Sequence, residues 1–445
     1  MRVTVIGTGY LGATHAACLA ELGHDVLGMD IDAQRIATLA KGAAPFYEPG
    51  LDALLAEHVD SGRLRFTTSF AQLAEFGRDG RGGAVHFICV NTPQRAGELA
   101  ADLRAVDAVV DGLAPLLDQP AVVVGKSTVP AGTAARLAGR FAALAPAGRE
   151  VEVGWNPEFL REGHAVQDTL RPDRLVIGVS SERARLALCG VYASLIDDGV
   201  PLVVTDLATA ELVKSAANAF LATKNSFINA MAEICEAAGG DVLQLAGALA
   251  LDARIGGAFL SPGLGFGGGC LPKDLRSFIA RATELGAGRS LGFLREVDAI
   301  NLRRRVRVVD LAREQCGGSF SGRRIAVWGA AFKPDSDDVR DSPALDVAAA
   351  IRDEGAEVTV YDPRAGENAA ALHPELSYAR SALDCVTGAD VLLHLTQWSE
   401  FQALDPAVVA ARVRVACVVD GRHALDADRW REAGWTYLAP GRPGR

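Results

Sequence analysis

The segment Arg2-Val3-Thr4-Val5-Ile6-Gly7-Thr8-Gly9-Tyr10-Leu11-Gly12 decides the fold. Its first residues alternate into an apolar strand, and a helix pattern follows the glycines through Leu22 until Gly23 stops it. A second strand, Asp25 to Met29, ends at Asp30. Strand, glycine turn, helix, strand and acid in that order form the dinucleotide fingerprint. Gly7, Gly9 and Gly12 let the backbone and a helix N-terminus approach a pyrophosphate. Asp30 accepts from the adenosine ribose hydroxyls and repels a 2′-phosphate, so NAD is expected rather than NADP. Arg35, on the following helix, fits a place along the adenosine and fits a solvated surface equally.

Further strand patterns each end in a polar loop. Val85 to Val90 runs into Asn91-Thr92-Pro93, and Ala121 to Gly125 into Lys126-Ser127-Thr128-Val129-Pro130. Val151 to Gly154 runs into Trp155-Asn156-Pro157-Glu158-Phe159-Leu160-Arg161-Glu162-Gly163. Ligands of an open α/β sheet bind outside the carboxyl ends of its strands, so these loops are expected to meet the glycine loop and bring Thr128, Glu158 and Glu162 near a nicotinamide. Each alone also fits a duller role, a turn hydroxyl or a helix N-terminal charge; the three together fit a site better. Tyr47-Glu48-Pro49-Gly50 reads as a turn between helices. Strands at Leu175 to Val179 and Pro201 to Thr205 close this first domain.

A long helix is expected from Thr209 to Ala237, ended by Gly239-Gly240, with Leu212, Ala216, Phe220, Phe227, Met231 and Ile234 at helical spacing. Such a helix links domains or forms a subunit interface. Lys214 and Asn218 are four apart and share a face that carries no carboxylate, which suits an oxyanion; a surface lysine beside a helix-interior asparagine is the plainer reading. After Arg254 and the loop Phe259-Leu260-Ser261-Pro262-Gly263 comes Gly265-Phe266-Gly267-Gly268-Gly269-Cys270-Leu271-Pro272-Lys273-Asp274. Thiol, amine and carboxylate fall within five residues, on glycines that leave an approaching ligand room. A thiolate is the reactive form, and Lys273 favours it. A tight turn with an incidental cysteine is the other reading. From Arg323 a second Rossmann-type half begins: the strand Arg324 to Trp328, then Gly329, and Val358 to Tyr361 ending at Asp362, without the full fingerprint. Later strands are Val391 to Leu395 and Val415 to Val419, and the tail Pro440 to Arg445 is expected to fray.

The 445 residues suffice for two or three domains, and a net charge of −10 argues against a nucleic-acid binder. Only Lys41, Lys126, Lys214, Lys224, Lys273 and Lys333 are lysine, so arginine is the general surface cation and a lysine marks a place for a compact ammonium. Eight cysteines show no metal or disulfide spacing; Cys89 and Cys417 read as buried strand residues, Cys18 and Cys235 as helix residues. No metal is expected, and of the eight histidines only His164, beside Glu162, invites a check. With a strand starting at Arg2 no secretory leader is expected, no apolar run spans a membrane, and a reducing cytoplasm suits the thiols.

The motifs Gly7-x-Gly9-x-x-Gly12, Lys126 to Pro130, Asn156 to Leu160, Lys214-x-x-x-Asn218, Gly265 through Cys270 to Asp274, and Phe332-Lys333 with Arg340 together resemble the nucleotide-sugar 6-dehydrogenase family, over nearly the whole chain. The resemblance implies an α/β chain of two Rossmann-like doubly wound domains joined by an all-helical middle domain with a long central helix. Its parts are an NAD-binding domain at 1–205, a dimerisation domain with the cysteine loop at 206–315, and a nucleotide-sugar domain at 316–445. It implies a four-electron, NAD-dependent oxidation of a primary alcohol at sugar C6, UDP-glucose to UDP-glucuronate, or the same reaction on a TDP-glucose, GDP-mannose or UDP-N-acetylhexosamine.

In that reading Cys270 forms a thiohemiacetal and a thioester, Thr128 and Asp274 hold the water network that takes the hydroxyl proton, Lys214 and Asn218 steady the oxyanion, and Glu158 is the base on water. Cofactor contacts fall to Tyr10, Leu11, Thr92, Glu162, Lys273 and Arg340 beside the glycines, Asp30, Arg35 and Thr128. Substrate contacts fall to Glu158, Phe159, Leu160, Lys214, Asn218, Phe259, Leu260, Ser261, Gly263, Gly267, Phe332 and Lys333, with Arg254 reaching a neighbouring subunit of a homodimer. The family commonly has serine where this chain has Gly269 and phenylalanine where it has Leu271; both changes are expected to alter loop stiffness more than chemistry, and they leave the nucleobase open. The competing classes are a two-electron β-hydroxyacid dehydrogenase, which needs no nucleophilic cysteine, and an NAD-dependent binding or redox-sensing protein in which Cys270 is merely oxidised.

Overall fold

A computed structural model describes residues 1–78 and 85–443. They form two compact units. The first holds Met1–Ala217 and Arg276–Leu285, the second Asn218–Leu275 and Gly286–Arg445. The helical stretch between the two sheets is therefore shared, and the helices Leu207–Ala238 and Leu271–Glu284 each begin in one unit and end in the other.

The first unit is built on eight strands: β1 (Arg2–Ile6), β2 (Asp25–Met29), β3 (Leu64–Thr67), β4 (Val85–Ile88), β5 (Ala121–Gly125), β6 (Val151–Trp155), β7 (Leu175–Gly178) and β8 (Leu202–Thr205). Their order is β3-β2-β1-β4-β5-β6-β7-β8. β1 to β6 run parallel and β7 turns antiparallel to β6. The carboxyl ends of β1, β4, β5 and β6 thus share one edge, as the pattern of polar loops predicts. Near-continuous apolar runs such as Val122 to Val124 fill both faces, as a parallel sheet covered by helices requires. Gly12 is forced by packing: a side-chain carbon there would land on the Gly7 carbonyl oxygen. β3 was not legible in the sequence because half of its residues face outward. Cys89 is buried as expected but lies one residue beyond β4, so it is a strand-tip residue rather than a strand residue.

The second unit's sheet has β9 (Arg324–Trp328), β10 (Glu357–Tyr361), β11 (Ser377–Tyr378), β12 (Val391–His394), β13 (Cys417–Asp420) and β14 (Thr436–Leu438), all parallel, in the order β11-β10-β9-β12-β13-β14. This is the dinucleotide-fold order, with its own core. Side chains at its strand tips tie the turn after β9 to the loops beside it. Asp362 accepts from the backbone N–H groups of Ala330, Ala331, Arg364 and Ala365 and from Trp398 Nε1, all at 2.8–3.0 Å. Thr396 occupies the space beside Gly329, and its hydroxyl donates to Ala331 O at 2.6 Å.

The tail does not fray over its described part. Gly441 N–H donates to Glu236 Oε1 at 2.7 Å, Val242 N–H donates to Gly441 O at 3.0 Å, and Gly441 packs on Ala232. Turn composition is what lets the chain lie this close to the helix Leu207–Ala238; Gly444 and Arg445 lie outside the described residues. No helix among the described residues is long and apolar enough to cross a membrane, and they hold no group of three or more His, Cys, Asp or Glu able to hold a metal ion. Replacing Asp362 by alanine strands several buried N–H groups at once. Urea denaturation of Asp362→Ala should show a loss of roughly 2–4 kcal/mol; a change under about 0.5 kcal/mol would mean the carboxylate is not a tie point.

Candidate active site

At the first unit's strand tips the polar loops are tied to one another. Asp30 accepts from Thr8 N–H at 2.8 Å, from Asp32 N–H at 3.1 Å and from Arg35 Nη1 at 3.0 Å, so it fixes the glycine turn and pairs with the arginine expected beside it. Thr92 Oγ1 donates to Thr128 O at 2.7 Å, joining the loops after β4 and β5. Ser127 Oγ donates to Val90 O at 2.7 Å. Lys126 Nζ donates to Asn156 Oδ1 at 2.8 Å, joining the loops after β5 and β6.

Glu48, in the turn that sequence reasoning noticed without giving it a role, is buried and accepts from Gly163 N–H and Ala165 N–H, both at 2.7 Å, and from the Tyr10 hydroxyl. It clamps the loop carrying Glu158 and Glu162 to the first turn of the helix Tyr10–Glu21. Burial, and then Glu48 itself, push the Tyr10 hydroxyl well above its ordinary value, so Tyr10 stays a neutral donor. The glycine turn, the helix N-terminus and the acid at the end of β2 form the cradle that NAD needs, and the residues fit it.

Lys214 pairs with Glu158, Nζ to Oε1 at 2.9 Å, both nearly enclosed. This corrects the expectation of a carboxylate-free face: the acid comes from the loop after β6, where helical spacing could not reveal it. Glu158 Oε2 is buried and has no hydrogen-bond partner among the described residues. Phe159 carries Arg174 over its ring at 3.9 Å and Lys214 at 5.8 Å. Glu162 is buried, Leu11, Thr128 and Leu160 are half-buried, and His164 is exposed.

In the second unit, Asn218 Nδ2 donates to Asp274 Oδ2 at 2.7 Å and Lys273 Nζ to Asp274 Oδ1 at 2.6 Å. Here too a carboxylate from elsewhere in the chain meets the helix face, and Lys273 is held by its neighbour. Cys270 stands just before the helix Leu271–Glu284 and is the exposed cysteine; Cys189 is half-buried and the other six are buried. The glycines before it do not leave open room, as the sequence reading supposed. A side-chain carbon at Gly267 would strike Pro343 at 2.5 Å and the Asp341 carbonyl, one at Gly268 would strike the Phe332 ring at 2.7 Å, and one at Gly269 would meet the Arg340 guanidinium nitrogens at 2.6 and 2.7 Å. Gly269 thus makes room for Arg340, which also pairs with Asp338 at 2.6 Å.

Three further residues pin this loop and were missed in the sequence. Asn301 bonds Phe266 N–H at 2.8 Å and Phe266 O at 2.9 Å. Arg305 donates to Phe266 O at 3.4 Å and Asp341 at 2.8 Å. Arg422 donates to Gly265 O at 2.8 Å, Leu395 O at 2.8 Å and Phe332 O at 3.2 Å. Asn301 and Arg305 stand among the charged residues of the helix Phe293–Gln315, beside Asp298, Arg303 and Arg304, so helical spacing gave no signal for them.

Among the expected substrate residues, Lys333 lies 5.5 Å from the Phe332 ring centroid. Phe259 is partly exposed with a positive φ of 63°, and Leu260 is buried. Ser261 O accepts from Asn225 Nδ2 at 3.1 Å, and Gly263 N–H donates to Asn229 Oδ1 at 2.9 Å. Arg254 is exposed and paired with Asp252 at 2.7 Å. Among the expected site residues the structure thus pairs Lys214 with Glu158 in one unit, and joins both Asn218 and Lys273 to Asp274 in the other.

Packing at Gly267 sets the position of the cysteine loop. Gly267→Ala should lower stability by roughly 1–3 kcal/mol and kcat by more than tenfold, whereas Gly247→Ala, on a helix with open space around it, should leave both within about 1 kcal/mol and twofold. Equal behaviour of the two variants in thermal melts and turnover would show that close packing at 267 is not needed.

Three parts of the UDP-glucose/GDP-mannose dehydrogenase family match the chain: its NAD binding domain at residues 1–196, its central domain at 208–303 and its UDP binding domain at 326–427. The chain is 42% identical to the UDP-glucose 6-dehydrogenase of Rhizobium meliloti over the full length of both. It is 40% identical to that of Pseudomonas aeruginosa, over 100% of this chain and 98% of the other. A UDP-glucose dehydrogenase structure from Pyrobaculum islandicum aligns with a TM-score of 0.90 at 36% identity, over 99% of this chain and 98% of that one. A UDP-D-ManNAc dehydrogenase from Pyrococcus horikoshii aligns at 0.86 and 28% over the full length of both. With the NAD cradle and the exposed cysteine in place, this chain belongs to the UDP-glucose/GDP-mannose dehydrogenase family and is an NAD-dependent dehydrogenase.

Proposed function

We propose that this chain oxidises UDP-glucose to UDP-glucuronate, with Cys270 holding the sugar between two oxidations. The observation that carries the reading is Cys270: the one exposed cysteine, at the start of a helix whose first-turn Asp274 is bonded to Asn218. NAD, when bound, accepts a hydride from the sugar carbon in each of two rounds. Gly7, Gly9, Tyr10, Leu11, Gly12, Asp30, Arg35, Thr92, Thr128, Glu162, Lys273 and Arg340 would hold it.

Thr128 and Asp274, through water, take the C6 hydroxyl proton as the first hydride leaves. The Cys270 sulfur then adds to the aldehyde carbon, and the new oxyanion is met by N–H donors of Lys214 and Asn218. Loss of the second hydride leaves a thioester. Water cleaves it, releasing the carboxylate and returning the thiol; Glu158 takes the proton of that water. Its buried Oε2, which has no hydrogen-bond partner among the described residues while Oε1 bonds Lys214, supports that role. One alcohol, two NAD and one water give one carboxylate, two NADH and three protons.

Residues 1–205 would bind NAD, 206–315 carry the cysteine loop, and 316–445 bind the nucleotide sugar, with Phe259 to Gly263 and Lys333 holding its diphosphate and sugar and Phe159, Leu160, Gly267 and Phe332 also contacting it. The enzyme would work in the cytoplasm as a homodimer, with Arg254 reaching into the partner's site. Phe220, Phe227 and Ile234, 48–65% exposed along one helix, support that interface.

NADH counted per sugar consumed tests the chemistry: two for the unmodified enzyme and at most one for Cys270→Ser. One for the unmodified enzyme, or two for the variant, removes the covalent route. Light scattering tests the assembly: twice the 46.6 kDa chain is expected, falling to one chain in Phe227→Asp, and an unchanged mass in the variant would place the interface elsewhere.

A further inference from the structure

Lys126 is a buried charged side chain at the first unit's strand tips that the reaction above does not use. It follows β5 directly and precedes Thr128 by two residues. It is only 8% exposed. Its Nζ donates to Asn156 Oδ1 at 2.8 Å and lies 5.9 Å from the Tyr192 ring centroid. Asn156 is itself held by the Tyr192 hydroxyl at 2.6 Å and by Val176 O at 2.8 Å. These partners are neutral.

The titratable groups facing the ammonium come from five other elements, with Lys214 on the helix Leu207–Ala238 among them. Cys89, after β4, is pushed up to about 12 by burial. His15, on the helix that follows the glycine turn, is pushed well below the imidazole range by burial and then by the Lys126 charge. Tyr192 is pushed up by burial. All three are neutral at pH 7. Glu158, after β6, is paired with Lys214 at 2.9 Å. Lys126 is bonded to a neutral amide, and the acid whose charge reaches it, Glu158, is bonded to Lys214 instead. Buried charge without a counter-ion is expensive, and where it persists it commonly serves function.

We propose that Lys126 acts on the bound cofactor through its field: a fixed cation at the tip of β5 disfavours the cationic nicotinamide of NAD relative to neutral dihydronicotinamide, and so promotes hydride transfer from the sugar carbon. The ring charge falls from +1 to 0 as the hydride arrives, while the hydroxyl proton leaves through water. The proposal rests on the reading that the Thr128 loop faces the nicotinamide. A purely structural Lys126, bridging two loops through Asn156, would affect both oxidation states of the cofactor alike.

Titration of the full-length enzyme with NAD and with NADH separates the two. In Lys126→Met, NAD should gain on the order of tenfold in affinity relative to NADH, and the first hydride transfer should slow by a similar factor. The unmodified enzyme gives a second measurement that needs no variant. Burial pushes Lys126 down to about 8, so the ammonium is present below that pH and lost above it. NAD should therefore tighten relative to NADH as pH rises from about 6.5 to about 9.5. An equal change of both affinities in Lys126→Met, or a ratio that stays flat across that pH range, overturns the proposal. Thr128→Val reports on the reading beneath it: hydride transfer slows if the loop faces the reacting carbon, and full speed in that variant overturns the placement whatever Lys126→Met does.

Discussion

A buried carboxylate that collects donors from separate loops is the interaction on which both units rest. Loops at strand tips have no ladder partners for their N–H groups, and burying such a group unpaired is costly. An ionised carboxylate satisfies several at once, with bonds stronger than neutral ones. Asp30 and Glu48 do this in the first unit, Asp362 and Asp420 in the second. Asp420 receives Leu425 N–H and the Tyr437 hydroxyl, each at 2.8 Å, and Arg422 N–H at 3.0 Å, beside His394 at 2.8 Å. Burial works against its charge, but the His394 contact and these donors outweigh it and hold the carboxyl below its ordinary range.

The same economy explains the cysteine loop. Arg422, whose backbone Asp420 holds, reaches Gly265 O, and Leu264 N–H bonds Gly421 O at 2.8 Å, so the loop hangs from the end of β13. Asn301, Phe332 and Arg340 press on it from further along the second unit. Glycine serves here by permitting contact, and the result is an exposed sulfur on a backbone with little freedom. That combination suits a nucleophile, which must be reachable and must also present one geometry to a reacting carbon.

Much of this was legible in residue order. β1, β2, β5 and β9 fall where alternation and run length put them, and Gly239 ends the long helix. Three strands were not visible: β3 and β11 are short and partly exposed, and β14 has three residues. The second sheet repeats the strand order of a dinucleotide fold although its first turn lacks the fingerprint, so that order does not depend on the ligand loop. The partners of Lys214 and Asn218 were misread for a different reason. Helical spacing reports which side chains share a face, but says nothing of what a distant segment brings to it.

By itself the sequence determined the local chemistry: which runs become strands, where glycine turns occur, which stretch carries a thiol, an amine and a carboxylate together. Those follow from short-range sterics and from the period of apolar residues. Only the tertiary structure decided that Glu158 meets Lys214, that Glu48 joins Tyr10 to Gly163, that Arg340 fills the room at Gly269, and that Lys126 is enclosed without an acid of its own. Each depends on groups far apart in the chain, whose meeting is fixed by packing of whole sheets and not by any neighbour in the sequence.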